Sequence, residues 1–366
     1  MTLFVPVFFL IYSFLHYYLY RKLTLALNFS KRNRVLIGLI LTVLVISPAL
    51  WKALDRAGFI GLARLIAVPG LFWMGFIIYF FLSGLFLEIL SKFKGFPPKK
   101  VLQTATVSAI FLSLYSHLET YFLQVEKYTL KTEKIPAGKR IKILHISDLH
   151  LGPLMRENRI NMVLKVYKKE KPHLVVATGD IVDGNTSGFA HLSHMLASMK
   201  PPLGKYAVVG NHEYYVGLEQ SLEFLKSSGF KVLRGEVVNV GNYITLVGID
   251  DPDGKRLGYK VFLEEKEILK TTDPSRYTIL LKHRPEVDKS SLPYIDLVLA
   301  GHSHGGILFF VGYTILRVIF ETDRGIKELG KDKFIIVSKG VGTGGPPMRL
   351  LSPPDVVVVV LEGTKP

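Results

Sequence analysis

The chain has 366 residues, 49% of them hydrophobic, and a mean hydropathy of +0.30. It carries 46 Lys and Arg against 30 Asp and Glu, a formal net charge of +16. That length holds more than one domain. The absence of cysteine excludes disulfides, thiolate-bound zinc and a thiol nucleophile, without fixing the compartment. The basic balance fits nucleic acid, an anionic membrane surface or a phosphorylated substrate. No nucleic-acid motif and no basic run interleaved with aromatics occurs, so nucleic acid is not an expected partner.

The apolar excess sits at the start. Residues 1–127 contain 13 Lys and Arg and 4 Asp and Glu. Four segments approach the roughly 20 apolar residues that span a bilayer: 1–20, 35–51, about 65–87, and 101 to about 125. Pro6, Pro48 and Pro69 lie in or near them, which membrane helices tolerate. Tyr17, Tyr18, Tyr20, Trp51, Tyr121 and Phe122 cluster at segment ends, as interfacial aromatics do. The first segment lacks a basic leading region and a small-residue cleavage site, so it reads as an anchor and not a signal peptide. His16, Glu88, His117 and Glu119 lie towards the segment ends and read as interfacial side chains, not as a relay or pore. Arg21, Lys22, Lys31, Arg32 and Arg34 in the first loop, with Lys92, Lys94, Lys99 and Lys100 in the third, make nine cations. Lys52, Arg56 and Arg64 make three in the second. The positive-inside rule then puts loops one and three in the cytoplasm and the C-terminal domain on the outer side.

Residues 128–140 read as a linker closed by Pro136-Ala137-Gly138. A single soluble domain is expected over 141–366. It shows short β-like runs at 141–147, 173–178, 206–209, 243–249, 277–281, 295–300, 334–338 and 356–361, bounded by turn residues. Helical stretches fall at 157–170, 188–199, 218–228 and 261–271, and there is no internal repeat. Near-continuous apolar strands such as Asp296-Leu297-Val298-Leu299-Ala300 imply a sheet buried on both faces. The expected fold is α/β, two packed mixed sheets flanked by helices, preceded by an all-α transmembrane region.

Five strand ends then offer metal ligands. They are Asp148-Leu149-His150, Gly179-Asp180, Gly210-Asn211-His212-Glu213, His283, and Gly301-His302-Ser303-His304. Carboxylate, amide oxygen and imidazole suit a pair of Mn, Fe or Zn ions. Two cations held close together need a bridging ligand and room for water and substrate, and a carboxylate is the natural bridge. A lone histidine after a strand is ordinarily structural; the ordered set carries the inference. His145, His173, His191 and His194 match no motif and read as structural. Asp183, Asp250, Asp251 and Asp253 read as turn formers.

The ordered set resembles the calcineurin-like metallophosphoesterases, whose pattern runs Asp-x-His, Gly-Asp, Gly-Asn-His-(Asp/Glu), His, Gly-His-x-His. The resemblance covers residues 140–361. Within the family, Gly301-His302-Ser303-His304-Gly305-Gly306 and Gly340-Val341-Gly342-Thr343-Gly344-Gly345-Pro346-Pro347-Met348-Arg349 are similar to a YkuE/YaeI-like branch of membrane-associated phosphodiesterases. The chain departs from that branch at Ile307, where Gln is expected.

The resemblance implies a four-layer sandwich and two divalent ions, manganese first and iron or zinc next. It assigns Asp148, His150 and His304 to one metal, and Asn211, His283 and His302 to the other. Asp180 would bridge them, and a metal-bridging hydroxide would attack phosphorus in line. His212 would be catalytic, stabilising or protonating the leaving oxygen, with Glu213 orienting it. Arg349 follows a Gly/Pro-rich loop and is a candidate phosphate contact. Arg317 lies in the apolar run 307–320. If that run is an exposed lip, Arg317 faces a lipid phosphate; if it is core, it does not.

The expectation is an integral protein of a bacterial inner or plasma membrane that hydrolyses a phosphodiester or phosphomonoester, with a lipid-linked substrate as one option. A nucleotide-lipid pyrophosphatase of lipid A synthesis is the enzymatic alternative, and it needs a cytoplasmic site. An inactive membrane scaffold is the other, and the intact ligand set argues against it. A transporter would need a central charged or broken helix pair, which is missing from the sequence.

Overall fold

A computed structural model describes residues 4–262, 264–306 and 320–365. The chain divides into two compact units: Met1–Glu119 with Gly345–Leu350, and Thr120–Gly344 with Leu351–Pro366.

The first unit is helical: α1 (Phe4–Ala26), α2 (Lys31–Arg56), α3 (Ile60–Lys94) and α4 (Pro98–Glu119). Ser30 caps α2, its Oγ accepting from the Asn33 N–H at 3.3 Å, and α3 stops at Gly95 in the left-handed region. Three helices among the described residues, α2, α3 and α4, are long and apolar enough to cross a membrane. This corrects the expected four. The first segment does form a 23-residue helix, which carries Arg21 and Lys22 in its second half. His16 is buried, accepts from Trp73 Nε1 at 2.8 Å, and donates from Nδ1 to the Tyr12 carbonyl at 2.7 Å. Residues 345–350 belong to this unit. The Arg349 N–H donates to the Ser116 carbonyl at 2.8 Å, and the Pro347 carbonyl lies 2.8 Å from His117 Nδ1.

The second unit contains two six-stranded sheets among the described residues. The strands are β1 (Gln124–Pro136), β2 (Arg140–Ile146), β3 (Leu174–Thr178), β4 (Lys205–Val208), β5 (Lys231–Val232), β6 (Glu236–Val240), β7 (Ile244–Gly248), β8 (Tyr277–Leu281), β9 (Leu297–Ala300), β10 (Gly325–Gly330), β11 (Lys333–Val337) and β12 (Asp355–Lys365). One sheet runs β1-β12-β2-β3-β4-β5 and the other β10-β11-β9-β8-β7-β6. Both are mixed. Strands β2 to β5 are parallel, as are β7, β8, β9 and β11, while β12 against β2, β6 against β7 and β10 against β11 are antiparallel.

Most of the expected linker 128–140 is instead strand. β1 pairs in parallel with β12, and α4 ends at Glu119, short of 125. Along β1 the exposed Lys127, Thr129, Lys131 and Glu133 alternate with more buried positions. That is the period of an edge strand with a charged outer face. The other strands that escaped sequence reading are β5, of two residues, β6, which reads Glu-Val-Val-Asn-Val, and β10, which reads Gly-Ile-Lys-Glu-Leu-Gly. The helix expected over 261–271 shortens to Glu265–Leu269.

Alternation explains the layers. Leu174 and Val176 of β3, with Val357 and Val359 of β12, enter the core between the sheets beside Ile279, Leu281, Leu297 and Leu299. Their neighbours Val175, Ala177, Val356 and Val358 pack with Ile160, Val163, Leu192 and Leu225. These come from α5 (Glu157–Glu170), α6 (Ala190–Ala197) and, beyond α7 (Asn211–Val216), α8 (Leu218–Ser227). Leu280, Val298, Ala300, Ile335 and Val337 form a further apolar cluster beyond the second sheet. Sheets buried on both faces need apolar residues at consecutive positions. The candidate functional side chains gather at the carboxyl ends of parallel strands, where open α/β sheets place ligands.

Candidate metal centre

Five loops meet at these strand ends. The Asp148 N–H donates to the Gly179 carbonyl and the His150 N–H to the Asp180 carbonyl, each at 3.0 Å, joining the loops after β2 and β3. The loop after β4 comes closer still. A Cβ on Gly179 would stand 2.5 Å from the Gly210 nitrogen, and one on Gly210 would stand 2.2 Å from Asp180 Oδ1. The glycines of Gly-Asp and Gly-Asn-His are required by that approach. The backbone is also unusual. Asp148, His150, Asp180, His302 and His304 all have positive φ, between 48° and 70°. Such conformations are uncommon outside glycine and cost on the order of 1–3 kcal/mol each.

The side chains converge in two groups. His304 Nε2 lies 3.3 Å from Asp148 Oδ1 and 3.0 Å from His150 Nε2. His283 Nε2 lies 3.1 Å from both Asp180 Oδ2 and His302 Nδ1. Asp180 Oδ2 is also 3.9 Å from His150 Nε2 and from His212 Nε2. Ligand atoms fall within 4.8 Å of one another in three sets: Asp148, His150 and His304; His150, Asp180 and His212; Asp180, His283 and His302. Asp148 Oδ1 and Asn211 Oδ1 are buried and have no hydrogen-bond partner among the described residues. Buried polar atoms are nearly always paired. Orphaned oxygens beside converging imidazole nitrogens therefore fit divalent cations, and the O/N donor set suits Mn, Fe or Zn.

The charges agree. Burial opposes ionisation of Asp148 and Asp180, yet the surrounding imidazoles hold both carboxyls well below the usual range. Burial likewise opposes protonation of His150 and His283. The carboxylates of Asp148 and Asp183 around the first, and of Asp180 beside the second, push both up to about 10. Burial and the neighbouring His283 bring His302 down to about 4.

Two supporting carboxylates take roles that differ from the reading of the sequence. Glu213 does not orient His212. It is fully buried, and its carboxylate accepts from the N–H groups of Asp180, Ile181, Val182 and Gly210 at 2.7–3.1 Å. It thus staples the loops after β3 and β4. The residue facing His212 is Asp183, expected only to form a turn. Its Oδ1 accepts from His212 Nδ1 at 2.7 Å, and its Oδ2 lies 3.6 Å from His150 Nδ1. The signal available was its position three residues after Asp180 in the same loop. His145 is structural, as read: buried, held by burial down to about 3, and 2.7 Å from Thr178 Oγ1. Asp250 and Asp251 are buried and pair with Arg234 and Arg284. Arg349 is fully buried and clusters with the helical unit. Arg317 and the run 307–319 lie outside the described residues.

Residues 141–306 match the calcineurin-like phosphoesterase family. An uncharacterized metallophosphoesterase of Aquifex aeolicus (strain VF5) is 65% identical over 255 residues, 70% of this chain and 98% of that protein. The chain belongs to the calcineurin-like phosphoesterase family. It is a metal-dependent phosphoester hydrolase. This phosphoesterase is also similar to a transmembrane protein with metallophosphoesterase domain of Danio rerio, 31% identical over 246 residues, 64% of this chain and 56% of that one. The uncharacterized metallophosphoesterase YkuE of Bacillus subtilis (strain 168) is 29% identical over 263 residues, 68% of this chain and 88% of that one.

Asp183→Asn in the phosphoesterase is expected to lower activity or metal affinity by about 10–100-fold, the usual effect of removing a carboxylate that orients site histidines, because Asp183 faces both His212 and His150. Glu213→Gln loses a charged acceptor for four N–H groups and should destabilise the second unit by about 1.5–3 kcal/mol. Steady-state kinetics, metal analysis and thermal melting of the two variants separate these effects.

Proposed function

We propose that Asp148, His150 and His304 hold one divalent ion and Asn211, His283 and His302 a second, with Asp180 between them, in a membrane-anchored phosphoesterase. The observation that carries this is the shared position of Asp180, within reach of both ligand groups. When bound, the two ions supply a water ionised near neutral pH and positive charge for the phosphoryl oxygens; manganese is our first choice, iron or zinc the next. His212 does the proton work. Asp183 fixes its Nδ1, so Nε2 faces the centre and serves the leaving oxygen. The ligands are buried apart from His302, and His212 is also part-exposed, so substrate enters between these two.

Helices α2 to α4 anchor the enzyme in a membrane, in keeping with the name of the Danio rerio relative. The catalytic unit lies on the exoplasmic side. The nine-to-three Lys/Arg bias supports this, and it is unaffected by whether α1 crosses, because α4 alone separates the catalytic unit from the third loop. The substrate is a phosphodiester or phosphomonoester carried by a lipid. Phe320, the last residue of the apolar run, is buried with its ring 5.9 Å from that of His302, which puts the end of that run beside the centre.

Asp180→Asn should abolish hydrolysis of an aryl phosphodiester and lower bound metal, whereas His212→Ala should lose rate and keep metal. Full activity in the Asp180 variant overturns the two-ion centre. A reporter fused after Pro366 should register outside the cytoplasm; a cytoplasmic signal from an intact fusion reverses the orientation and favours the nucleotide-lipid pyrophosphatase. Replacing Phe309 and Phe310 with Ser should slow hydrolysis of a phospholipid while sparing a small aryl phosphate. Equal loss on both removes the support for a lipid substrate.

A further inference from the structure

Within the second unit, the loops that bear the ligands also carry a set of charges that the proposed centre does not use. Asp251 and Asp253 come shortly after β7, and Arg284 directly follows the ligand His283 just past the end of β8. Both acids are buried. Arg284 Nε donates to Asp251 Oδ2 at 2.8 Å and Nη2 to Asp251 Oδ1 at 3.2 Å, and Nη2 also lies 2.9 Å from Asp253 Oδ1. The Nε and Nη2 side of the guanidinium is thus fixed. Nη1 makes no hydrogen bond among the described residues, and 22% of the side chain is exposed.

The same acids connect Arg284 to His212. The Tyr215 hydroxyl donates to Asp253 Oδ2, and the Tyr215 ring lies 5.3 Å from that of His212, three residues earlier on α7. Arg256 Nη2 donates to Asp253 Oδ2 at 2.8 Å, and the Asp253 N–H donates to Asp251 Oδ1 at 2.9 Å. The charge of Arg284 also reaches His302. Burial is the main cause of the low pKa of His302 and His283 the next, and Arg284 lowers it further. His212, Tyr215, Arg284 and His302 are all partly exposed. Two acids and two guanidiniums cancel at long range. What Arg284 can offer a ligand is therefore a directed contact at close range, the kind a planar guanidinium makes with a phosphate oxygen.

We propose that Arg284 is a substrate-binding residue whose Nη1 takes a terminal phosphoryl oxygen, so that the site favours a phosphomonoester over a phosphodiester. This deepens the two-ion reading above and rests on it. A phosphomonoester presents three terminal oxygens and carries about 1.5–2 negative charges near pH 7. A diester presents two such oxygens and carries a single charge. A donor placed next to a ligand, in addition to the centre itself, serves the oxygen that only the monoester has. Asp251 and Asp253 hold the guanidinium in place beforehand, so little freedom is lost when the oxygen binds. A charge-assisted hydrogen bond of this kind is worth about 10–100-fold in affinity. An ion pair that only joined the loops after β7 and β8 would act equally on every substrate.

The test uses the full chain in lipid nanodiscs, metal analysis, thermal melting and two soluble substrates, an aryl phosphomonoester and the methyl aryl phosphodiester with the same leaving group. Arg284→Gln should lower kcat/KM for the monoester by about 10–100-fold more than for the diester. The inhibition constant of inorganic phosphate should rise in step. Arg284→Lys keeps a cation beside Asp251 and Asp253 but loses the planar fork, and it should shift the ratio in the same direction. A folded, metal-loaded variant of either kind with the wild-type ratio overturns the proposal. So does an equal loss on both substrates, the mark of a tie between loops. If Arg284→Gln does not fold, Arg284→Lys decides alone; if neither folds, the residue is structural and the proposal fails. A wild-type chain that binds no metal and hydrolyses neither substrate overturns the two-ion centre, and this reading with it.

Discussion

The carboxylate of Asp180 is where the constraints of this protein meet. It is 1% exposed and has three histidines within 4 Å. A buried ionised carboxylate is costly unless it is paired and hydrogen-bonded. Its Oδ1 accepts from the His212 N–H at 2.8 Å, while Oδ2 faces the imidazoles. Asp148 repeats the situation nearby, with one buried oxygen that no described residue satisfies. Such a concentration of acceptors is stable only in company with positive charge. The same carboxylates push His150 and His283 up towards their charged forms, and divalent ions fit the same place.

The geometry is maintained against a backbone penalty. Five ligand-bearing residues adopt left-handed conformations, and strain of this kind persists only where the surroundings over-determine it. Here the surroundings are two sheets buried on both faces, which fix the strand ends, and Glu213, whose carboxylate gathers four N–H groups from two loops. The fold commits its rigid core to holding short loops in positions they would not adopt alone.

The helical unit adds a second level. Three of its helices have the length and composition to cross a membrane, which accounts for the apolar start of the chain. It also contains residues 345–350, drawn from far along the sequence.

What the sequence determined by itself was local in character. Asp148, His150, Asp180, His212, His283, His302 and His304, which the structure brings within reach of one another, could be read as candidates because each sits in a short motif directly after an apolar run. The continuous runs of β3, β9 and β12 declared a doubly buried sheet for the same reason. Tertiary structure decided what depends on distant partners. β1 became a strand because β12 pairs with it, although its own residues are largely charged. Asp183 reached His212 and Glu213 reached the loop after β3, two carboxylates whose roles invert the expectation from their spacing alone. Arg349 clusters with the helical unit, a membership that its place in a Gly/Pro-rich loop did not announce. A motif reports which ligands a turn can offer. Only the packing of separate loops settles which way a side chain faces, since that is fixed by hydrogen bonds and burial across many residues of chain.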